Sequence, residues 1–461
     1  MEWTSQANNG PKNMSLISSR RARLLYVYSR RWQRRLFFVA GGLAVGAVAA
    51  LLAVLADRVQ VEFHRFLALA PWGPLFLTPF GFAVTVFLTN RYFPNSGGSG
   101  IPQAIAARAL TGTEERGRLV SLRIAIGKIL LTLMGLLVGA STGREGPTVQ
   151  VGASVMFALG RVSRRYQPGL ILAGSAAGVA AAFNTPLAGI VFGIEEMSRS
   201  FETRTSGLVL GTIIAAGITS IALLGNYTYF GSSVDIVLGW QNWLVVPVCG
   251  VVGGLAGGIF SRILVLFGAG LPGRLGVLIK SNKVAFAAFC GLAVAACGFV
   301  SGGAVYGTGY EQANAALHGT EHLSLFYAPL KLAATALSAI CGLPGGFFSP
   351  SLSVGAGIGA DIAHFFPDTP ASALVLLGMV GYFTGVVQAP ITAFVIVAEM
   401  TGSHELLVPL MLTALIAQGS SRLVCKEGVY HALAKNFLPP KMPATKPAAA
   451  EESEKPVSTP A

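Results

Sequence analysis

Residues Leu36–Ala56 read LFFVAGGLAVGAVAALLAVLA, with no charge and no hydrogen-bonding side chain. About 20 such residues are what an α-helix needs to cross the hydrocarbon core of a bilayer. Further apolar stretches follow along the chain at Leu75–Leu88, Ile124–Ala140, Leu208–Leu224, Leu244–Phe267, Val284–Val300, Leu330–Leu343, Ala373–Val387 and Leu406–Gln418. Several are too short, or too interrupted by Gly and Pro, to span alone. Broken segments survive at membrane depth only where they are buried in protein or line a cavity, and in transporters they point to the transport site. Composition agrees. The chain is 53% hydrophobic and 11% charged, against roughly 25% charged residues in soluble domains. Its 57 glycines suit close helix–helix approach in a membrane. The fold class read from this is an all-α polytopic membrane protein.

The placement of the +13 net charge matters more than its size. Lys12, Arg20, Arg21, Arg23, Arg30, Arg31, Arg34 and Arg35 precede the first apolar stretch, with Glu2 the only acid among them. The positive-inside rule makes residues 1–36 a basic cytoplasmic tail. The juxtamembrane position accounts for the run without nucleic acid. The apolar run starts too late and is too long for a signal peptide. After residue 437 the chain turns to Pro, Ala, Glu, Ser and Lys, a composition expected to be disordered and cytoplasmic. Cys249, Cys290, Cys297, Cys341 and Cys425 form no CxxC pair and read as small hydrophobes. His318 and His322 flank Glu321 at a spacing a metal could use, but a solvated loop or helix end explains them as well. No HExxH motif and no GxSxG elbow is present, which argues against an intramembrane enzyme.

Between the tails the sequence echoes itself. Ser99-Gly-Ile-Pro-Gln-Ala-Ile-Ala-Ala returns as Thr308-Gly-Tyr-Glu-Gln-Ala-Asn-Ala-Ala, Gly143-Arg-Glu-Gly-Pro147 as Gly346-Phe-Phe-Ser-Pro350, and Pro186…Glu195 as Pro390…Glu399. Two membrane repeats, 37–225 and 243–436 with a connector at 226–242, account for these matches in one order. Hydropathy leaves open whether the repeats are parallel or inverted.

The echoed segments carry the candidate chemistry. Gly97-Gly98-Ser99-Gly100-Ile101-Pro102 offers freed backbone N–H groups, a hydroxyl and the positive end of a helix, a combination that suits an anion; an ordinary Gly-rich turn is the alternative. Arg144 and Glu145 sit among apolar and small residues, where charge is costly and marks function. Glu145 falls at or just before a helix start, where a free anion would also be stabilised. Its carboxylate could hold the anion's own place and release it on protonation, as a gate. Gly345-Gly346-Phe347-Phe348-Ser349-Pro350 repeats the pattern without charge. Glu196 reads either as a proton-transfer carboxylate or as an i,i+3 partner of Arg199. Lys128 and Lys331, inside apolar runs, either offset buried negative charge or snorkel to an interface.

Together Gly98-Ser-Gly-Ile-Pro102, Gly143-Arg-Glu-Gly-Pro147, Gly346-Phe-Phe-Ser-Pro350, Glu195-Glu196-Met197 and Tyr430 in Gly428-Val-Tyr430 resemble the CLC family of chloride channels and proton/chloride antiporters, over residues 37–436. The resemblance implies a central chloride held by the hydroxyls of Ser99 and Tyr430 and the backbone N–H groups of Phe347 and Phe348. It implies Glu145 as external gate and Glu196 as internal proton glutamate. It further implies an inverted repeat of about 18 tilted, partly broken helices, a homodimer with one pathway per subunit in a bacterial inner membrane, and no cofactor. The serine at 99 matches the chloride-selective pattern. Phe347 departs from the Ile or Lys common in the family, which matters little if its backbone is what binds. Acids at both 145 and 196 favour chloride/proton exchange over the alternative, a passive chloride channel with a pH-sensitive glutamate gate.

Overall fold

The computed structural model describes residues 12–160, 166–198, 206–225, 228–231, 239, 242–321, 323–403 and 405–439. In chain order the helices are α1 (Lys12–Leu69), α2 (Pro74–Tyr92), α3 (Ile101–Ala109), α4 (Thr113–Leu119), α5 (Leu122–Leu137), α6 (Glu145–Leu159), α7 (Gln167–Phe183), α8 (Pro186–Phe192), α9 (Ser206–Leu224), α10 (Val245–Ala269), α11 (Gly273–Ser281), α12 (Lys283–Val300), α13 (Tyr310–His318), α14 (Tyr327–Ile340), α15 (Phe348–Ala363), α16 (Ala371–Val387), α17 (Pro390–Thr401), α18 (Leu407–Val424) and α19 (Val429–Ala434). A π-helical turn, Gly193–Ser198, follows α8, and a 3₁₀ turn, Lys435–Phe437, follows α19. The backbone of α1 runs through residue 36 without a break. The expected disordered tail lies outside the described residues from 440 onward, as does most of the connector.

Among the described residues, six segments are long and apolar enough to cross a membrane: Arg35–Leu69, Thr113–Leu137, Gly207–Leu224, Val245–Ala269, Lys283–Val300 and Leu407–Val424. The shorter apolar helices α7, α16 and α17 lie inside the protein, with α7 and α16 buried along nearly their whole lengths. Glycine sets that packing. A Cβ on Gly152 of α6 would collide with the Gly174 carbonyl of α7, and one on Gly174 with the Gly152 carbonyl. Gly355 of α15 and Gly378 of α16 meet in the same way. Bare backbone therefore touches backbone where the central helices cross, the membrane mode of close approach.

The two halves meet through contacts that survive exchange of one half for the other. Gly143 N–H donates to Gly346 O at 2.6 Å, and Gly346 N–H to Gly143 O at 2.8 Å, an antiparallel bridge. Gly98 N–H donates to Leu343 O at 3.2 Å; Gly307 N–H donates to Ala140 O at 3.1 Å. The Glu195 carboxylate accepts from Ile391 N–H at 3.2 Å and Thr392 N–H at 2.6 Å, at the start of α17. The Glu399 carboxylate accepts from Leu187 N–H at 3.1 Å and Ala188 N–H at 2.8 Å, at the start of α8. Because the bridge is antiparallel, α6 and α15 leave it in opposed senses, an inverted repeat.

The buried lysines obey the same symmetry and correct both sequence expectations for them. Lys128 Nζ donates to the carbonyls of Ser96 at 2.7 Å and Gly98 at 2.6 Å. Lys331 Nζ donates to those of Val305 and Gly307, both at 2.9 Å. Each ammonium neither snorkels nor meets an acid. It satisfies the loop carbonyls that lead into α3 or α13, which would otherwise be stranded at membrane depth.

Candidate anion site

The starts of α3, α6 and α15 converge near the centre of the molecule. Ser99 precedes α3 between Gly98 and Gly100, whose φ values of 68° and 100° are left-handed; only glycine enters that region without strain. A Cβ on Gly146 would stand 2.5 Å from Ser99 Oγ and 3.2 Å from Gly346 Cα, so the three helix starts touch here. Glu145 is the first residue of α6, and Phe348 the first of α15, with Phe347 as its N-cap. The first N–H groups of a helix have no intrahelical partner, and the macrodipole leaves roughly half a positive charge there. From the other side α19 packs on α3. Its Tyr430 is fully buried and stacks on Phe347, with centroids 5.1 Å apart and planes at 17°. Phe348 is wedged between Phe183 and Phe383, at 4.9 and 4.2 Å.

Polar groups at this junction are short of partners. The hydroxyls of Ser99, Tyr430 and Ser349 and both carboxylate oxygens of Glu145 are buried without a hydrogen bond of good geometry, their nearest polar neighbours being one another: Ser99 beside Tyr430, and Ser349 beside Glu145. Leaving one such group unpaired costs about 1–3 kcal/mol. The set makes physical sense as a site whose donors bind a ligand. Hydroxyls that can donate, together with the N–H groups at the helix starts, supply the hydrogens that an anion binds. Glu145 lies fully buried beside it, its side chain folded over Gly143, where any Cβ would strike Oε2. Ser349 is its polar neighbour.

Arg144 does not pair with Glu145. Its Nη1 donates to Ala53 O at 2.6 Å and to Asp57 Oδ1 at 2.5 Å on α1. The pair borders a cavity of about 390 Å³, also lined by Gln60, Tyr229, Thr308 and Tyr310. Thr308, the repeat counterpart of Ser99, is capped by Gln60 Oε1, which accepts from its N–H at 2.9 Å and its hydroxyl at 3.2 Å. The Thr308 hydroxyl is thus engaged by protein, whereas the Ser99 hydroxyl on the first-half loop has no hydrogen bond of good geometry.

A family model described as voltage gated chloride channel matches residues 80–422. The chain belongs to that family. The H(+)/Cl(-) exchange transporter ClcA of Yersinia pestis bv. Antiqua (strain Angola) is 31% identical over 92% of each chain. ClcA of Cronobacter sakazakii is 30% identical over 81% of this chain and 85% of its own. Among solved structures, a slow cyanobacterial Cl-/H+ antiporter shares the fold with a TM-score of 0.73 at 24% identity, over 87% of this chain and 97% of the other. A CLC-type fluoride/proton antiporter shares it with a TM-score of 0.74 at 23% identity, over 88% and 98%.

Within this chloride-channel fold, Ser99, Phe347, Phe348, Tyr430 and Glu145 come together. Glu196 is not part of this cluster; it lies on the π-helical turn. One extra residue in the turn aims neighbouring carboxylates apart: Glu195 reaches α17, whereas Glu196 Oε1 meets His431 Nδ1 at 2.9 Å. π-Turns often mark functional positions. Arg199, the alternative partner of Glu196, lies outside the described residues, as does His322. His318 is exposed, its Nδ1 3.0 Å from Asn314 O. Sequence reasoning missed Asp57, Gln60 and His431. Asp57 carries a signal in hindsight, as the acid ending the first apolar run; His431 directly follows Tyr430.

Proposed function

We propose that this multi-pass membrane protein exchanges chloride for protons. The observation that carries the reading is the buried carboxylate of Glu145 standing beside buried hydroxyls that lack well-formed hydrogen bonds. Chloride and the carboxylate compete for the same donors, so protonating Glu145 and binding chloride are linked events. Ser99, Tyr430 and the N–H groups of Phe347 and Phe348 hold the anion in this reading. Glu145 is its gate, and Glu196 passes protons between the gate and the cytoplasm. Tyr430 is near enough to both Glu145 and Glu196 to sense their charges, so it stands where the two ion paths meet. The relatives' printed activity, H(+)/Cl(-) exchange, supports the same assignment, and no chemical reaction is needed.

Orientation follows from charge. From Arg35 to Asp57, α1 rises about 33 Å at 1.5 Å per residue, enough to cross the bilayer. The Arg144–Asp57 cavity thus opens opposite the basic N-terminus, which the positive-inside rule keeps in the cytoplasm. We place both termini in the cytoplasm, the protein in the bacterial inner membrane, repeats at 37–225 and 243–436, and two subunits in a homodimer with one pathway each. The test is reconstitution into liposomes with a chloride gradient and no proton gradient, recording chloride and pH together. Uphill proton movement driven by chloride is the expected result. Chloride movement without protons would leave a passive channel gated by Glu145.

A further inference from the structure

We propose that His431 is the residue through which protons from the cytoplasm reach Glu196. The inference rests on the exchange reading above and adds a group to it. Glu196 is nearly sealed, its side chain 5% exposed against 16% for His431. A cavity of about 340 Å³ lies on this side, lined by Ile105, Arg108, Pro168, Met197, Ser198 and His431. Glu196 does not line it. The imidazole therefore stands between the cavity and the carboxylate, its Nδ1 2.9 Å from Oε1.

Proton bookkeeping works at this contact. With Glu196 ionised, Nδ1 carries the hydrogen and donates it to Oε1, because a carboxylate can only accept. The remaining ring nitrogen then holds a lone pair. A proton arriving there from a cavity hydronium leaves water behind. The Nδ1 proton moves to Oε1, Glu196 becomes neutral, and a neutral ring of the other tautomer remains. Exchange with water resets the tautomer.

Other ionisable neighbours are already engaged or lack suitable chemistry. Arg108 of α3 donates to Met197 O at 2.9 Å and Ser198 Oγ at 3.0 Å, fixing the π-turn, and its guanidinium carries no usable lone pair. Lys435 pairs with Glu427 at 2.6 Å. Glu195 caps α17. Arg262 of α10 is exposed, and α16 offers only Tyr382. Tyr430, next in sequence, belongs to the anion site. Among the described groups, His431 alone joins cavity and carboxylate with a side chain that can both accept and donate a proton.

The experiment measures chloride-driven proton flux in liposomes across cytoplasmic-side pH for the parent, His431→Gln and His431→Asn. Both amides can still donate to Glu196 but cannot relay a proton, so a merely structural contact survives while the relay does not. Gel filtration identifies the folded variants. The expected result is a fall in proton flux of at least about tenfold in both variants, with loss of the parent's dependence on cytoplasmic pH. Parental flux with a parental pH profile in either folded variant overturns the role of His431. A parent that moves no protons overturns the exchange reading instead, so the two failures are distinct.

Discussion

Glu145 and Glu196 differ by what surrounds them, and that difference separates their expected phenotypes. In the proposed exchange Glu145 shares its donors with the anion, and Gln at that position mimics the permanently protonated form. Glu145→Gln should abolish proton movement and leave chloride flux flat with external pH, whereas in the parent chloride flux should rise on external acidification. Glu196→Gln should also abolish proton movement, yet keep chloride flux and its external-pH dependence, since its partner is His431 and not the anion donors. Paired chloride-electrode and pH-electrode recordings decide both; coupled proton uptake surviving in either variant would remove that carboxylate from the path. Tyr430→Ala deletes a buried hydroxyl whose bond to an anion is worth about 1.5–3 kcal/mol. Chloride affinity by calorimetry should fall roughly 10- to 100-fold. At this scale much was legible in the sequence. Ser99 and Glu145 declare themselves because glycines and charges at membrane depth are expensive and local. His431, Asp57 and Gln60 do not, because each acts on a residue distant in the chain, and single-chain periodicity says nothing about which helices touch.

Between residue and molecule stand the loops and helix ends that aim the donors. Lys128 and Lys331 hold equivalent loops, but only the Lys128 loop carries the unpaired Ser99 hydroxyl. Met would strand two carbonyls at position 128 and three at position 331, each costing about 1–3 kcal/mol, and should lower thermal stability in detergent. Chloride affinity should drop only for Lys128→Met, because Thr308 on the other loop is already closed by Gln60. Equal losses of affinity would mean that the loops are not distinct in function. The sequence displayed both lysines and both loops, and the echo of Ser99 in Thr308. It could not show that one ammonium serves two carbonyls, since backbone acceptors leave no trace in residue type. The α7 helix, Gln167–Phe183, is apolar but too short to span alone, and its small residues, GSAAGVAAAF, include Gly174, which packs on Gly152.

For the molecule as a whole, the membrane class and the doubled architecture were readable from composition and three echoes. The sense of the repeat was not, because hydropathy cannot count broken helices; the Gly143–Gly346 bridge supplies it. The crossed caps also set a timetable for biogenesis. Glu195 waits for α17, and the start of α8 waits for Glu399, about 200 residues later in synthesis. At about 5–20 residues per second the first half spends roughly 10–40 s in the membrane with an unused carboxylate and unclaimed amides. That interval exposes it to quality-control proteases and makes the late half a folding partner in trans. Residues 1–225 and 226–461 produced as separate chains should co-purify and recover chloride binding, while 1–225 alone should be degraded. Adding Glu399→Gln to the second piece should weaken that rescue, and a first half that accumulates stably by itself would show that the caps are not what it waits for.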